Sequence, residues 1–533
     1  MIKNLYHKHS IYTVVESIFK SVSSYIPDFL KNLLFSVFKL LYSQSVFISF
    51  LLNMQEPLIT IGLEIHLKLA SETKIFCKCK NEQALEDNQP NTTICPVCTW
   101  QPWALPQLSA EVVEKGLLLG KALQCQFNNP SYFDRKSYFY PDLPMGYQIT
   151  QLYTPINVKG SLSFFFANYE EEKQVRISDA HLECDTAKAF HQGGAMLLDF
   201  NRAGTPLIEI VTGPDFTSAE QAVEFAKEIQ RIAKRNNLSD ADMEKGQMRV
   251  DVNVSIRKEK SDPLGTRVEL KNINSFSAIK RAIDAEVIRQ AKCRETGEEI
   301  QQQTRRRDDL KWQSFAMRSK EDALDYRYFP EPDLLPLYLD EQLLKKVEEA
   351  ELIIPFQEIK KMKSEYWFHK EFINALISEY PTLTFFKQLI HAGFEPKLVA
   401  KRIAGQISGY MTAHFVNITE LPVDKEQLIE FFNIAKEGKL IDNQLKLIME
   451  EMLQTGASAS DIIKEKGFDT PEISESDLRA FCKEVLHENP AILDQYKAGK
   501  TSVIGFFVGQ VMRKTQGKAN PQAITKILLS ELA

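Results

Sequence analysis

The sequence predicts an α+β protein, in which a mostly antiparallel sheet built by the first 340 or so residues gives way to helices that run to the C-terminus. Three observations predict it. Apolar and polar residues alternate in 58–69, 248–257 and 267–272, the period of strands with one buried face. The polar positions of those strands carry Glu, His, Arg, Asp, Asn and Lys, a mixture suited to a site rather than to a solvated face. From about residue 341 the apolar period becomes helical, with capping residues and prolines at helix starts.

Composition bounds what such a fold can be. With 533 residues, 44% hydrophobic and 26% charged, the chain can bury several cores and should form two to four domains. A net charge of -6 excludes a uniformly basic nucleic-acid binder but not a local basic patch. Eight cysteines are too few for a disulfide scaffold at this length, and four lie within 22 residues, the mark of a metal site in a reducing compartment.

Residues 1–53 differ from all that follows, with an apolar run over 35–52 broken by Lys39 and five lysines in all. A membrane anchor, an organelle-targeting segment and upstream sequence ahead of a true start at Met54 are the competing readings. The segment holds no arginine, as a transit peptide would, and Lys39 interrupts an already short span, which favours the start at Met54. A cytoplasmic protein is then expected, with an organelle matrix or a membrane tether as the alternatives.

In LITIGLEIHLKL, Ile59, Ile61, Leu63, Ile65, Leu67 and Leu69 alternate with Thr60, Gly62, Glu64, His66 and Lys68. Glu64 and His66 therefore share one face, about 7 Å apart at strand rise. A carboxylate and an imidazole so placed can hold one cation or act as base and orienter, and the plain alternative is a solvated face. Cys77 and Cys79 follow, then Cys95 and Cys98 in ICPVC, a set fit for a structural zinc ion, with free thiols as the alternative. Cys125, Cys293 and Cys482 stand apart as packing residues.

The aromatic stretch 132–151 has only Arg135 and Lys136 as cations, which could neutralise a phosphate. In RISDAHLECDTAK, Glu183 and Asp185 share a face beside His181; with Glu64 and His66 they offer donors enough for a divalent metal. DFNRAGTPLIEIVTGPD, 199–215, joins a polar hook of Asp199, Asn201 and Arg202 through a Gly204/Pro206 turn to a strand carrying Glu209. Ala222, Phe225, Ile229 and Ile232 have helical spacing and predict a covering helix. MRVDVNVSIR presents Arg249, Asp251 and Asn253 on one face, and TRVELKN presents Glu269 and Lys271. Carboxylates for magnesium and cations for phosphate, with no covalent nucleophile, are what phosphoryl transfer needs.

No phosphate loop assists, because Asp494 stands where the first glycine ahead of Gly499-Lys500-Thr501 would be required. Prolines in 326–337 predict an extended exit from the sheet domain, and Arg305, Arg306 and Arg307 form a basic run beside it. Ser474 with Asp477 predicts a capped helix bearing Leu478, Phe481, Cys482 and Val485 on one face. Residues 497–518 hold Lys497, Lys500, Arg513, Lys514 and Lys518 and no acid, a candidate contact to a nucleic-acid backbone.

GLEIH, FDRKSYFYPDLPMGYQITQ, the 199–215 stretch, MRVDVNVSIR, GTRVELKNINSF, DYRYFPEPDLLPL and GFFVGQVMRKTQGKANP occur in order from about residue 58 to the C-terminus. Together they resemble the B subunit family of the aspartyl/glutamyl-tRNA amidotransferases, glutamine-hydrolysing carbon-nitrogen ligases. Residues 1–53 lie outside the resemblance. It implies a curved, glutamine-synthetase-like cradle over 54–340, a helical domain over 341–455 and a tRNA-binding helical tail over 456–533. It also implies a heterotrimer with an amidase A subunit and a small C subunit. In such a family the B subunit uses ATP and magnesium to phosphorylate the side-chain carboxylate of mischarged Glu-tRNA(Gln) or Asp-tRNA(Asn), and ammonia from the A subunit completes the amide.

By this resemblance Glu64, His66 and Glu183 would hold magnesium, and Lys136 would face the transferring phosphoryl group. Asn201, Arg202, Arg249, Asp251, Asn253, Lys271 and Asn272 would line the nucleotide or aminoacyl end, with Glu209 a further catalytic candidate. Three positions depart from the family pattern: Cys184 for a second glutamate, Met145 for a common lysine, and Thr99-Trp100-Gln101-Pro102-Trp103 for a glycine-containing turn. The rival expectation is a non-catalytic tRNA-binding scaffold that turns over no ATP.

Overall fold

The computed structural model describes residues 57–81, 89–143, 145–308, 313–319, 326–377, 379–468, 474–497, 499, 501–515, 519 and 521–532. The side chains of Asn272, 306–308 and 313–319 lie outside that description, as does the whole of the 1–53 leader. The chain divides into two compact units. One takes in the described residues up to 161 and those of 175–226 and 241–340, the other those of 162–174 and 227–240 and those from 341 on.

The first unit is organised on β1 (Leu58–Lys68). Its Ile61, Leu63, Ile65 and Leu67 are buried to within 1%, each stabilising the sheet by about 1.5–3 kcal/mol. The strand lies inside a nine-stranded sheet whose order is β13 (Gln313–Ser319), β12 (Gln303–Asp308), β11 (Val268–Ile273), β10 (Met248–Arg257), β1, β9 (Pro206–Thr212), β6 (Glu171–Cys184), β5 (Asn157–Phe166) and β2 (Gln126–Phe127). Its neighbours are β10 (Met248–Arg257) and β9 (Pro206–Thr212), both antiparallel to it. Beyond β9 comes β6 (Glu171–Cys184), and beyond β10 come β11 (Val268–Ile273) and β12 (Gln303–Asp308), the last pair being parallel. A mixed, mostly antiparallel sheet followed by an all-helical region is the expected α+β arrangement.

Alternation predicts the buried faces residue by residue. Met248, Val250, Val252 and Val254 are fully buried on β10. Ala222, Phe225, Ile229 and Ile232 are fully buried on α1 (Ala219–Arg235). A second helix, α2 (Phe276–Thr296), is capped by Ser275 and ended by Gly297 at φ 72, and its buried Gln290 donates to the Val254 carbonyl. The proline-rich exit is extended at Phe329–Pro330, a two-residue strand. Phe329 and Pro330 pair with β3 (Asp134–Ser137), which pairs in turn with β4 (Tyr147–Thr150).

In the second unit, Ile373, Phe386, Val399, Ile403, Phe431, Ile448 and Met452 belong to one core and Leu478, Cys482, Val485, Phe507, Val511 and Leu528 to another. The predicted cap is present, Ser474 accepting from the Asp477 amide at 3.1 Å to open Glu475–Glu488. No described helix is long and apolar enough to cross a membrane.

Candidate active site

The polar face of β1 carries Gly62, Glu64, His66 and Lys68 in a row, because side chains two residues apart share a face. Register supplies their neighbours. His66 stands opposite Arg249 on β10 and Glu209 on β9, and Glu209 stands opposite His181 on β6. His66 Nε2 lies 3.4 Å from Glu209 Oε2 and 3.7 Å from Glu183 Oε1, and His181 Nε2 lies 3.4 Å from Glu209. Burial works against a charged His66, yet Glu209 and Glu183 outweigh it and raise the imidazole above its ordinary value. His181 goes further, to about 10, since burial is overcome by Asp179, bonded to its Nδ1 at 2.8 Å, and by Glu209. Glu209 is itself held well below the carboxylate range, its burial being outweighed by the two histidines.

A second acidic group sits beside the first. Glu64 stands opposite Asp251, and Asn253 donates to its Oε1 at 2.9 Å. Asp251 and Glu269 grip Lys271 Nζ at 3.3 and 2.9 Å, and Thr304 donates to Glu269 at 2.7 Å. Burial, then Glu209, raises the Glu64 carboxyl, while Lys271 is pushed up because Asp251 and Glu269 outweigh its burial.

The expected magnesium set of Glu64, His66 and Glu183 is therefore divided. Donor atoms of His66, Glu183 and Glu209 lie within 4.8 Å of one another, and those of Glu64, Asp251 and Glu269 form a separate group of the same size. Two residues of strand rise separate Glu64 from His66, and Glu64 turns toward β10 and β11 while His66 turns toward β9. Carboxylates and imidazole fit a divalent cation in the first group, and three carboxylates fit one in the second. In the first group the raised histidines register the positive charge that two close carboxylates demand.

Lys136 belongs to this site. Its charge is strengthened by Glu183, Tyr328 and Glu209 against its burial, and its ammonium lies 5.2 Å from the Tyr326 ring centre. Arg135, one residue earlier on β3, takes the other face: it grips Glu331 at 2.7 and 2.8 Å and lies over Tyr147, fixing the proline-rich strand rather than a phosphate. Arg202 donates to the Thr186 and Ala187 carbonyls and lies 3.6 Å from Asp185, which is also 3.7 Å from Arg249. A cavity of about 260 Å³ is lined here by Lys68, Lys188, Arg202, Lys245, Gly246, Gln247 and Arg249. At the other end of the β1 row, Gly62, Leu63, Glu64, Thr212, Pro214 and Gly265 contribute to a cavity of about 320 Å³. A β-carbon on Gly265 would lie 2.1 Å from the Ile256 carbonyl, so only glycine fits that wall.

Asn201 does not join the site. It is fully buried, accepts from the Thr93 amide at 2.8 Å and donates to the Gln89 carbonyl, which ties the hook to the cysteine loop. Cys77, Cys79, Cys95 and Cys98 bring their sulfurs within 4.8 Å of one another, a set fit for one zinc ion. Cys98 is lowered to about 5 by its hydrogen bond with Cys77, and Cys77 is raised by the same bond. Lys74, fully buried, donates to Thr93 and Phe200 carbonyls at 3.0 and 3.2 Å and so links the same two segments. The glycine-free turn after Cys98 closes with Trp100 and Trp103 in the left-handed region, at φ 55 and 71.

Toward the C-terminus, Lys514 is tied to Glu484 and Glu488 at 2.8 and 2.6 Å, which leaves less charge for a partner than the sequence run suggests. Lys497 and Arg513 are described, whereas Lys500 and Lys518 fall outside the described residues. Arg305 approaches Glu286 at 3.9 Å.

Asp179 and Lys68 stand beside the acidic groups without any role assigned to them from sequence, while Glu269 and His181 are noted there only as polar-face neighbours. Glu269 and Lys271 are a same-face pair visible in TRVELKN, but the register shift between Val250 and Val252 hides which β10 residues they meet. His181 sits at even spacing from Asp179 and Glu183, a signal that the sequence does carry.

Comparison with known proteins accords with this geometry. Residues 59–345 match the family model of the GatB/GatE catalytic domain, and 384–532 match that of the GatB domain. Proteins named as the B subunit of aspartyl/glutamyl-tRNA(Asn/Gln) amidotransferase are similar over most of the chain. That of Persephonella marina is 39% identical over 470 residues, 88% of this chain and 98% of the relative. That of Elusimicrobium minutum is 40% identical over 468 residues, 88% and 97% of the two chains. That of Oleidesulfovibrio alaskensis is 38% identical over 482 residues, 90% and 100%. With both domains matched in order and such identity over nearly the whole length of these relatives, the chain belongs to the GatB family, the B subunits of multi-subunit aspartyl/glutamyl-tRNA amidotransferases.

Proposed function

We propose that this protein activates the side-chain carboxylate of glutamate or aspartate mischarged on tRNA(Gln) or tRNA(Asn). A carboxylate oxygen attacks the γ-phosphorus of ATP, the bridging P–O bond breaks and ADP leaves. Ammonia then attacks the acyl carbon, the C–O bond to phosphate breaks, and a nitrogen proton passes to the departing phosphate. A carboxylate is a poor electrophile because its charge spreads over both oxygens, and an acyl phosphate removes that barrier.

One observation carries this reading: two three-donor groups stand side by side on one sheet face, with cations at hand. Magnesium bound there would neutralise the phosphates and align the two substrates. Glu183, Glu209 and His66 would hold it at one position and Glu64, Asp251 and Glu269 at the other. Lys136 faces the charge that develops on the transferring phosphoryl group. Asp179, through His181, fixes the orientation of Glu209. Arg202 and Arg249, set by Asp185, face the aminoacyl end, and Asn253 and Lys271 hold Glu64 and Asp251 in place.

In this reading 54–340 is a glutamine-synthetase-like catalytic cradle steadied by zinc at the four cysteines. Residues 341–455 form a helical domain and 456–533 a tail that meets tRNA through Lys497, Lys500, Arg513 and Lys518. The partners are an amidase A subunit that supplies ammonia and a small C subunit, in the cytoplasm. Reconstituted A, B and C subunits with Glu-tRNA(Gln) or Asp-tRNA(Asn), glutamine and ATP provide the test. Glu183→Gln and Glu209→Gln should each lower amide formation at least about 100-fold, as expected of an electrostatic stabiliser. Near-wild-type rates in both would leave the tRNA-binding scaffold as the better account.

A further inference from the structure

A cavity of about 810 Å³ lies wholly within the second unit, whereas both acidic groups belong to the first. The last turn of α1 supplies Arg231, Lys234 and Arg235, which share one face because residues three and four apart are neighbours on a helix. Across from them begins α3 (Tyr380–His391), preceded by Glu379 in extended conformation and held by Pro381 in its first turn. Glu379 occupies the capping position, yet its side chain makes no capping bond.

Two buried groups of opposite charge are left open in this cavity. Arg235 is only 6% exposed, and its Nη2 donates to the Ile377 carbonyl. Its Nη1 is buried with no hydrogen-bond partner among the described residues. Glu379 Oε2 is buried and equally without one. The two therefore do not satisfy each other, although both line the same space. Burial, against the pull of Glu228, lowers the Arg235 guanidinium from its ordinary value. A buried donor and a buried acceptor are costly while unpaired, and a ligand carrying both complementary groups would complete them.

Charge balance selects the class of ligand. Arg231 is engaged by the buried Glu228 at 3.2 Å, and Lys234 is exposed at the rim. One buried cation is thus set against one acid, a balance that suits a zwitterion and disfavours a phosphate dianion. The remaining polar lining consists of amides and hydroxyls, among them Gln230, Asn374 and Thr419. Asn374 is oriented by the Tyr169 hydroxyl, which donates to its Oδ1 at 2.7 Å. The volume falls within the roughly 300–1,000 Å³ of enclosed small-molecule sites, with room for a polar side chain and its water.

We infer that this cavity binds a free α-amino acid with a polar side chain. The carboxylate accepts from Arg235, the ammonium donates to Glu379, and Gln230, Asn374 and Thr419 meet the side chain. Lys234 adds attraction for the carboxylate from the rim. Such a ligand bridges the end of α1 and the start of α3, so its binding stabilises the second unit. The site is independent of the carboxylate activation proposed above.

The test is titration calorimetry on the full chain without partners, using L-glutamine, L-glutamate, L-asparagine, L-aspartate and, as a phosphate ligand, AMP. At least one amino acid should bind saturably and more tightly than AMP, and should raise the Tm of the chain. Its N-acetyl derivative, which lacks the ammonium, and its α-amide, which lacks the carboxylate, should each bind at least about tenfold more weakly. Glu379→Gln, which removes no capping bond, should weaken the amino acid by a similar factor and hardly distinguish it from the N-acetyl derivative. Lys234→Glu, an exposed change, should weaken it several-fold. The derivative series in the wild type needs no variant and reads the inference by itself. Saturable binding by none of the four amino acids, tighter binding of AMP, or an N-acetyl penalty that persists undiminished in Glu379→Gln overturns it.

Discussion

Glu209 shows how one carboxylate acquires a role from what surrounds it. On its own it is an isolated glutamate in an apolar strand, a position that costs stability unless the charge is paired. His66 and His181 both reach it at 3.4 Å and hold it ionised. Replacement by Gln should therefore do more than remove a donor. It should lower the His181 imidazole from about 10 toward its ordinary value, since Glu209 and Asp179 together keep it there. Imidazole titration by NMR in the metal-free protein checks this, and an unmoved His181 would mean that Asp179 alone sets its charge.

A second residue-scale prediction concerns Arg402, which is 1% exposed and relies on Asp442 for a carboxylate. Lys401 hydrogen-bonds the Asp442 carboxylate and, with Arg402 adding to it against partial burial, holds it below the usual aspartate value. The folded-state value lying below the unfolded one, the contribution to stability is whole above about pH 4 and disappears as pH falls through the lowered value. Asp442→Asn strips a charged partner from a buried guanidinium, but solvent screens the mostly exposed carboxylate, so the cost to the helical unit at pH 7 should be about 1 kcal/mol. Denaturation curves of wild type and variant should then converge at strongly acid pH, and a gap that persists there would contradict the assignment.

Among the elements, the strands are the most legible from sequence because alternation names both faces at once. The polar row of β1 and its counterpart on β10 are visible for that reason. What stays hidden is register: that His66 faces Glu209, 143 residues away, depends on how β1 and β9 slide past each other, and no local spacing encodes it. Hence sequence spacing groups Glu64 with His66 and Glu183, although its neighbours are Asp251 and Glu269. Asn201 misleads for another reason. Hook residues resemble site residues in sequence, and only the fold shows that Asn201, Asp199 and Gly204 bond to 75 and 89–93 of the cysteine loop.

That linkage has a measurable consequence. The hook carries Arg202, so a metal ion held by the four cysteines would steady a residue of the cationic cavity through Lys74, Asn91 and Thr93. Zinc removal by chelation should raise amide exchange in 89–101 and 199–205 together, while β1 and β10 stay protected. Exchange rising in the cysteine loop alone would show the two segments to be uncoupled.

Across the molecule, the sheet face runs from a glycine-walled cavity over two acidic groups to a cavity lined by cations. Under the proposed function, phosphorylation of a carboxylate would need alignment and charge neutralisation, which charged residues on one face can supply. Strand alternation also explains why Cys184 is tolerated. Its neighbours Glu183 and Asp185 lie on the polar face, while Cys184, 1% exposed, points into the packing.

If this protein turns the aminoacyl carboxylate into an acyl phosphate, as proposed, oxygen transfer reads that step out. Mischarged tRNA carrying oxygen-18 in the side-chain carboxylate is given to the assembled enzyme with ATP and glutamine, and the released inorganic phosphate is analysed by mass spectrometry. One oxygen-18 atom should appear in the phosphate for each amide formed from fully labelled substrate, with Glu183→Gln and Glu209→Gln losing both products in parallel. Phosphate containing only oxygen from ATP and water, released while amide still forms, would contradict it.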